Sequence, residues 1–144
     1  RDPVNALLSY AYGMLVREWI KAVIAANLHP YQGFYHQPRF GRPALALDLM
    51  EAFRPLAADS AVITAINTGA VKPEDFTVVS GGWQLKESAR RVFIETFERR
   101  MDTLVTHPWF DYRLSLRRVF ELQARLLVRY LQGDISKYPE FLTR

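Results

Sequence analysis

Three side chains in one stretch of this sequence could hold a cation. His36 precedes Asp48 by twelve residues and Glu51 by fifteen. Imidazole with carboxylates is the donor set of manganese, of magnesium that keeps some of its waters, or of zinc. The surrounding segment, HQPRFGRPALALDLMEAFRP, also carries Arg39, Arg42 and Arg54. A guanidinium offers a planar fork that matches phosphate oxygens, so a metal held against a phosphate is one chemistry this stretch could support. A plainer alternative stays open. On a helix, Asp48 and Glu51 lie one turn apart on one face. They could then form a narrow polar strip with Arg54 or Arg42 as partners, since an unpaired buried carboxylate is very costly.

The elements that must position these residues read as helices. Asp2 and Pro3 make a helix start, with an N-cap acceptor and a proline in the first turn. Val4, Leu7, Leu8, Ala11, Leu15, Ile20, Val23 and Ile24 then recur at helical spacing, which predicts a helix from about Pro3 to Asn27. LHPYQGF ends it, and HQPRFGRP reads as a loop because its prolines and glycine deny it regular structure. Leu45, Leu47, Leu49, Met50 and Phe53 predict a buried helix from Ala44. Pro55 should bend or restart it before a continuation to Asn67, closed by Gly69.

In VKPEDFTVVSGGWQL, two short runs flank a Ser-Gly-Gly turn, which predicts a small hairpin. An amphipathic helix is expected from Lys86 to Leu104, then a break at THPWFDY, then a last helix from Leu114 to Gln132 with Gly133 as its C-cap. The tail, DISKYPEFLTR, has no periodicity. The fold class expected is therefore mainly α, a bundle-like single domain over residues 1–144 with one small possible β-hairpin.

A chain of 144 residues buries roughly 70% of the surface its unfolded form exposes, so it needs neither metal nor disulfide to fold. It contains no cysteine, which excludes disulfide scaffolds and thiolate metal sites; a reducing, cytoplasmic setting is expected. The most apolar stretch, VNALLSYAYGMLV, is too short and too interrupted to span a membrane. Lysine and arginine number 19 against 15 acidic residues, a mild excess compatible with a polyanion partner. Arg118, Arg125 and Arg129 fall on one face of the last helix, either as a stripe for DNA phosphate or as a solvated helix face.

DPVNALLSYAYGML, LHPYQGFYHQPRFGRPALALDLMEAFRPL and WQLKESARRVFIETFERRM together resemble the helical C-terminal domain of CRISPR-associated protein one, the integrase of spacer acquisition. The resemblance is collinear over nearly the whole chain and centres on the glycine-histidine turn, GRP, LALDLME and FRP. It implies a metal-dependent DNA endonuclease and integrase that inserts spacers into the CRISPR array by transesterification. A free 3′-hydroxyl attacks a phosphate at the repeat edge. It also implies Mg2+ or Mn2+ held by a glutamate, a histidine and a second acid. Here the histidine is His36 and the second acid Glu51, with Asp48 as a supporting or alternative ligand. Arg39 and Arg42 would fix the phosphate from the loop.

The family's first glutamate precedes the NALL helix, and nothing here precedes Arg1, so this chain is expected to be inactive alone. Glu18 is read as helix surface and not as a replacement, and His29 as a loop or helix-end residue. The partners implied are double-stranded DNA (prespacer and CRISPR repeat), CRISPR-associated protein two, and a second copy in the full-length family's homodimer, with no membrane. Tyr10, Tyr12, Tyr31 and Tyr35 could stack on DNA ends or belong to the core. Two other classes remain: a non-catalytic helical module that binds DNA or protein, with Asp48 and Glu51 in salt bridges, and an unrelated hydrolase that uses the same ligand triplet on small phosphoesters.

Overall fold

Asp2 opens the first helix as its sequence requires. Its carboxylate accepts a hydrogen bond from the Asn5 backbone N–H at 2.9 Å, and Pro3, which has no N–H to satisfy, takes the first helical position. In the computed structural model, which describes residues 2–28 and 44–141, helix α1 runs Pro3–Ala25. His36, Arg39 and Arg42, the expected loop with His29, Tyr31 and Tyr35, lie outside the described residues.

Helix α2 is Ala44–Met50. Pro55 cannot donate to the carbonyl four residues before it, and the helix changes pitch around this point. It tightens to a 3-10 turn over Glu51–Phe53, widens to a π segment over Arg54–Asp59, and resumes as α3 over Ser60–Asn67. Gly69, at φ 75°, closes α3. Arg100 stitches the π segment to the next helix by donating from Nε to the Leu56 carbonyl at 2.6 Å.

The expected hairpin pairs β1 (Phe76–Val79) with β2 (Gly82–Leu85), antiparallel, with Val78 opposite Trp83. Its two-residue turn has Ser80 and Gly81 both at positive φ, the twist a tight hairpin needs. Helix α4 is Glu87–Met101. The segment expected to be a simple break between helices contains a second antiparallel hairpin, β3 (Leu104–Thr106) with β4 (Arg113–Ser115). The two flanking helices are therefore shorter than expected. Leu104 begins β3, Leu114 sits in β4, and α5 starts only at Leu116, after Ser115 caps it by accepting from the Arg118 N–H. Helix α5 runs to Leu131, and Gly133, at φ 80°, terminates it.

Trp19 of α1 stacks on Phe120 of α5 with ring centroids 4.3 Å apart. Phe53, in the 3-10 turn, meets Trp19 at 5.3 Å, Phe120 at 4.9 Å and Phe141 of the tail at 5.0 Å. These four rings fix the segment that carries the carboxylates against both long helices.

The tail is anchored by a buried polar chain. Trp109 N–H donates to His107 Nδ1, which leaves the proton on Nε2 facing Gln123 Oε1 at 2.6 Å. The Gln123 amide then donates to the Tyr138 hydroxyl and the Pro139 carbonyl. No helix among the described residues is long and apolar enough to cross a membrane.

Candidate metal and DNA site

Asp48 lies in the last turn of α2 and is half-buried, while Glu51 opens the 3-10 turn and is exposed. The change of pitch keeps residues three apart on one face, as the spacing requires. Arg54 Nη2 lies 3.3 Å from Glu51 Oε1. Its guanidinium also sits over the Tyr12 ring, 5.1 Å from the centroid, while the Tyr12 hydroxyl donates to Asp59 at 2.8 Å. That bond to Asp59, with burial second, raises the Tyr12 pKa above its ordinary value. Tyr12 is thus occupied as a platform for Arg54, and Tyr10 is half-buried against Phe93.

The Glu51–Arg54 partnership is the one the polar-strip reading anticipates. With side chains 49% and 39% exposed, such a pair is worth about 0–1 kcal/mol and yields readily to a divalent ion. Two carboxylates one turn apart, one exposed and one half-buried, suit an oxygen-seeking cation such as magnesium or manganese. Among the described residues no group of three or more His, Asp or Glu is placed to hold a metal. A third donor would therefore have to come from elsewhere, and His36 is the sequence's candidate.

Arg118, Arg125 and Arg129 are all exposed on α5. At 3.6 residues per turn they share one face, and Phe120, the ring that meets Phe53, falls on the opposite one. The structure does not gather this stripe with Asp48 and Glu51. Arg117, beside it in sequence, does different work. Its guanidinium reaches Glu18 at 3.0 Å, Asp102 at 3.4 Å and also Glu98, joining α1, α4 and α5. Burial opposes its charge, but Glu18 and Glu98 outweigh that and leave its pKa raised. Glu18 is therefore not helix surface as expected. It is 9% exposed, because α5 brings it a cation across a sequence distance that no local pattern reveals.

The family model described as CRISPR associated protein Cas1 matches residues 1–99 of the 144. The chain belongs to the Cas1 family. A Cas4/Cas1 fusion of Geobacter sulfurreducens, described as a CRISPR-associated exonuclease and endonuclease, is 62% identical over 144 residues, which are all of this chain and 26% of that protein. A Cas1 endonuclease of Thermus thermophilus is 42% identical over 144 residues, 43% of its length. The chain thus spans from about a quarter to under half of these Cas1 relatives.

Among solved structures, a casposase bound to its integration product superimposes with TM-score 0.86 at 29% identity, over 97% of this chain and 42% of that one. The Cas1 protein of Thermotoga maritima superimposes with TM-score 0.82 over 90% of this chain and 40% of its own; at 23% identity it supports the fold alone. A partial Cas6-RT-Cas1 complex with Cas2 gives 0.79 at 28% identity, over 97% of this chain and 42% of that one. The helical class expected from the sequence is that of these Cas1 proteins.

Proposed function

We propose that residues 1–144 are the helical catalytic domain of a Cas1 integrase, which joins a DNA 3′-hydroxyl to a phosphate at the edge of a CRISPR repeat and releases the 3′-oxygen that the phosphate previously esterified. The observation that carries this reading is the pairing of Asp48 and Glu51 on one face at the change of helical pitch, inside a chain of the Cas1 family. His36 and Glu51 would hold Mg2+ or Mn2+, with Asp48 as supporting ligand. An ion bound there would supply positive charge at the scissile phosphate. Without an ion, Arg54, held on the Tyr12 ring, pairs with the Glu51 carboxylate and would give way as the ion binds. Arg39 and Arg42 fix phosphate from the loop, and the stripe Arg118, Arg125 and Arg129 holds duplex DNA further away. Cas2 and a second Cas1 copy are the protein partners in this reading, and the cytoplasm, where the array lies, is its setting.

A second reading has one observation in its favour. The Glu51–Arg54 ion pair also suits a non-catalytic helical module. Two measurements separate them. Manganese titration of the 144-residue chain by calorimetry should show weak binding that His36→Ala and Glu51→Ala each abolish; binding indifferent to both substitutions refutes the ligand assignment. A chimera in which this chain replaces the matching segment of the Geobacter sulfurreducens fusion should transfer a DNA 3′ end into repeat DNA and lose transfer with either substitution. Undiminished transfer refutes the catalytic reading.

A further inference from the structure

Resting on the DNA reading above, we propose that the groove between α1, β2 and the start of α4 binds one or two nucleotides of single-stranded DNA. An unpaired base lies against the Trp83 indole and its phosphate meets Arg90. The groove has a volume of about 400 Å³, within the range of small-ligand pockets. Trp83 forms one wall and is 37% exposed. The hairpin holds it in place, since Trp83 stands opposite Val78 in the register and the neighbouring Leu85 is buried in the core. Tyr10, braced on Phe93, also lines the groove.

Ser9 and Gln84 add side chains that can meet the polar edge of a base, and Arg90, also in the lining, is exposed. The lining holds a cation and no carboxylate, so its charge suits a phosphate. A flat aromatic wall beside a guanidinium is the arrangement that binds unpaired bases without reading sequence. The groove is also away from the carboxylates. Tyr10 and Tyr12 are two residues apart on α1, so they project about 200° apart around it. A strand at Trp83 is therefore held on the far side of α1 from Glu51, which makes Trp83 a positioning residue.

The test is fluorescence anisotropy of a labelled ten-nucleotide oligo-dT with the 144-residue chain and a metal chelator present. Chelation makes the result independent of His36 and Glu51, so the groove and the catalytic reading can fail separately. Trp83→Ala should weaken oligo-dT binding about five- to hundredfold, the loss of roughly one stacked base. Trp83→Phe, which keeps a stacking face, should retain most of the affinity. Arg90→Gln should lower the slope of log affinity against log salt by roughly 0.7.

Unchanged binding by a Trp83→Ala chain that melts like the parent overturns the proposal. So does an equal loss in Trp83→Phe, or an equal loss for blunt duplex DNA. A further control uses the Geobacter chimera with Trp109→Phe. If acrylamide cannot reach Trp83 there in the absence of DNA, the groove is filled by protein and the proposal fails.

Discussion

Replacing Arg117 with alanine tests whether three helices are held by one guanidinium. Its Nη1 lies 3.0 Å from Glu18, whose side chain is 10% exposed. Losing one partner of a fully buried pair costs about 3–5 kcal/mol, because the remaining charge is stranded away from water. Arg117 itself is 32% exposed, so water can reach the vacated space. Discounted for that solvent, and for Lys21, whose Nζ stays 3.7 Å from Glu18, the expected cost is about 1–2 kcal/mol, or a fall in melting temperature of roughly 3–6 °C for a domain of this size.

Glu98→Gln provides the contrast, because that carboxylate is 45% exposed and its loss should cost less than about 1 kcal/mol. Urea unfolding of the parent, Arg117→Ala, Glu18→Gln and the double variant completes a cycle. Glu18→Gln should be milder by at least about 1 kcal/mol when Arg117 is already gone. An Arg117→Ala chain within about 0.5 kcal/mol of the parent, or an additive cycle, refutes the claim that Glu18 depends on this cation.

Burial raises the Tyr138 pKa to about 12, assisted by Glu140 and opposed by the Gln123 hydrogen bond. The phenol is thus held neutral in the fold: its contribution is fully present below about pH 10 and is lost as pH rises toward 12. Tyr138→Phe should flatten the alkaline loss of stability between those values, and an unchanged pH profile by circular dichroism would count against it. Arg54→Gln removes the cation beside Glu51 and should raise manganese affinity in calorimetry; a fall would mean that Arg54 chiefly holds the carboxylate in place. Changing Arg118, Arg125 and Arg129 together to glutamine should lower the salt slope of duplex binding by about 2.7 with unchanged melting, and an unaltered slope would leave them a solvated face.

The helices were legible where chemistry is local. Asp2, Pro3, Gly69 and Gly133 act through their own backbone neighbourhoods, and each is found in the role its residue type implies. Pro55 announced the change of pitch for the same reason. The hairpin β3–β4 was hidden because its strands are three residues each and enclose a histidine, a proline and exposed aromatics that read as a loop. His107 and Glu18 were illegible for another reason. Their partners Gln123 and Arg117 lie 16 and 99 residues away, and only the packing of α5 brings them together. At the candidate site, the spacing of Asp48, Glu51 and Arg54 was readable. The support of Arg54 by Tyr12, from another helix, was not.

The four rings around Phe53 carry a consequence for synthesis on the ribosome. Trp19, Phe53, Phe120 and Phe141 are spread over almost the full length of the chain, yet each helps to wall in the segment that ends in Phe53. Contacts so distant in sequence close late, and a chain emerging N-terminus first holds Asp48 and Glu51 long before it has Phe120 and Phe141. A nascent polypeptide therefore carries the carboxylates without the wall that fixes them. Their geometry matures only when translation has delivered the last aromatic ring.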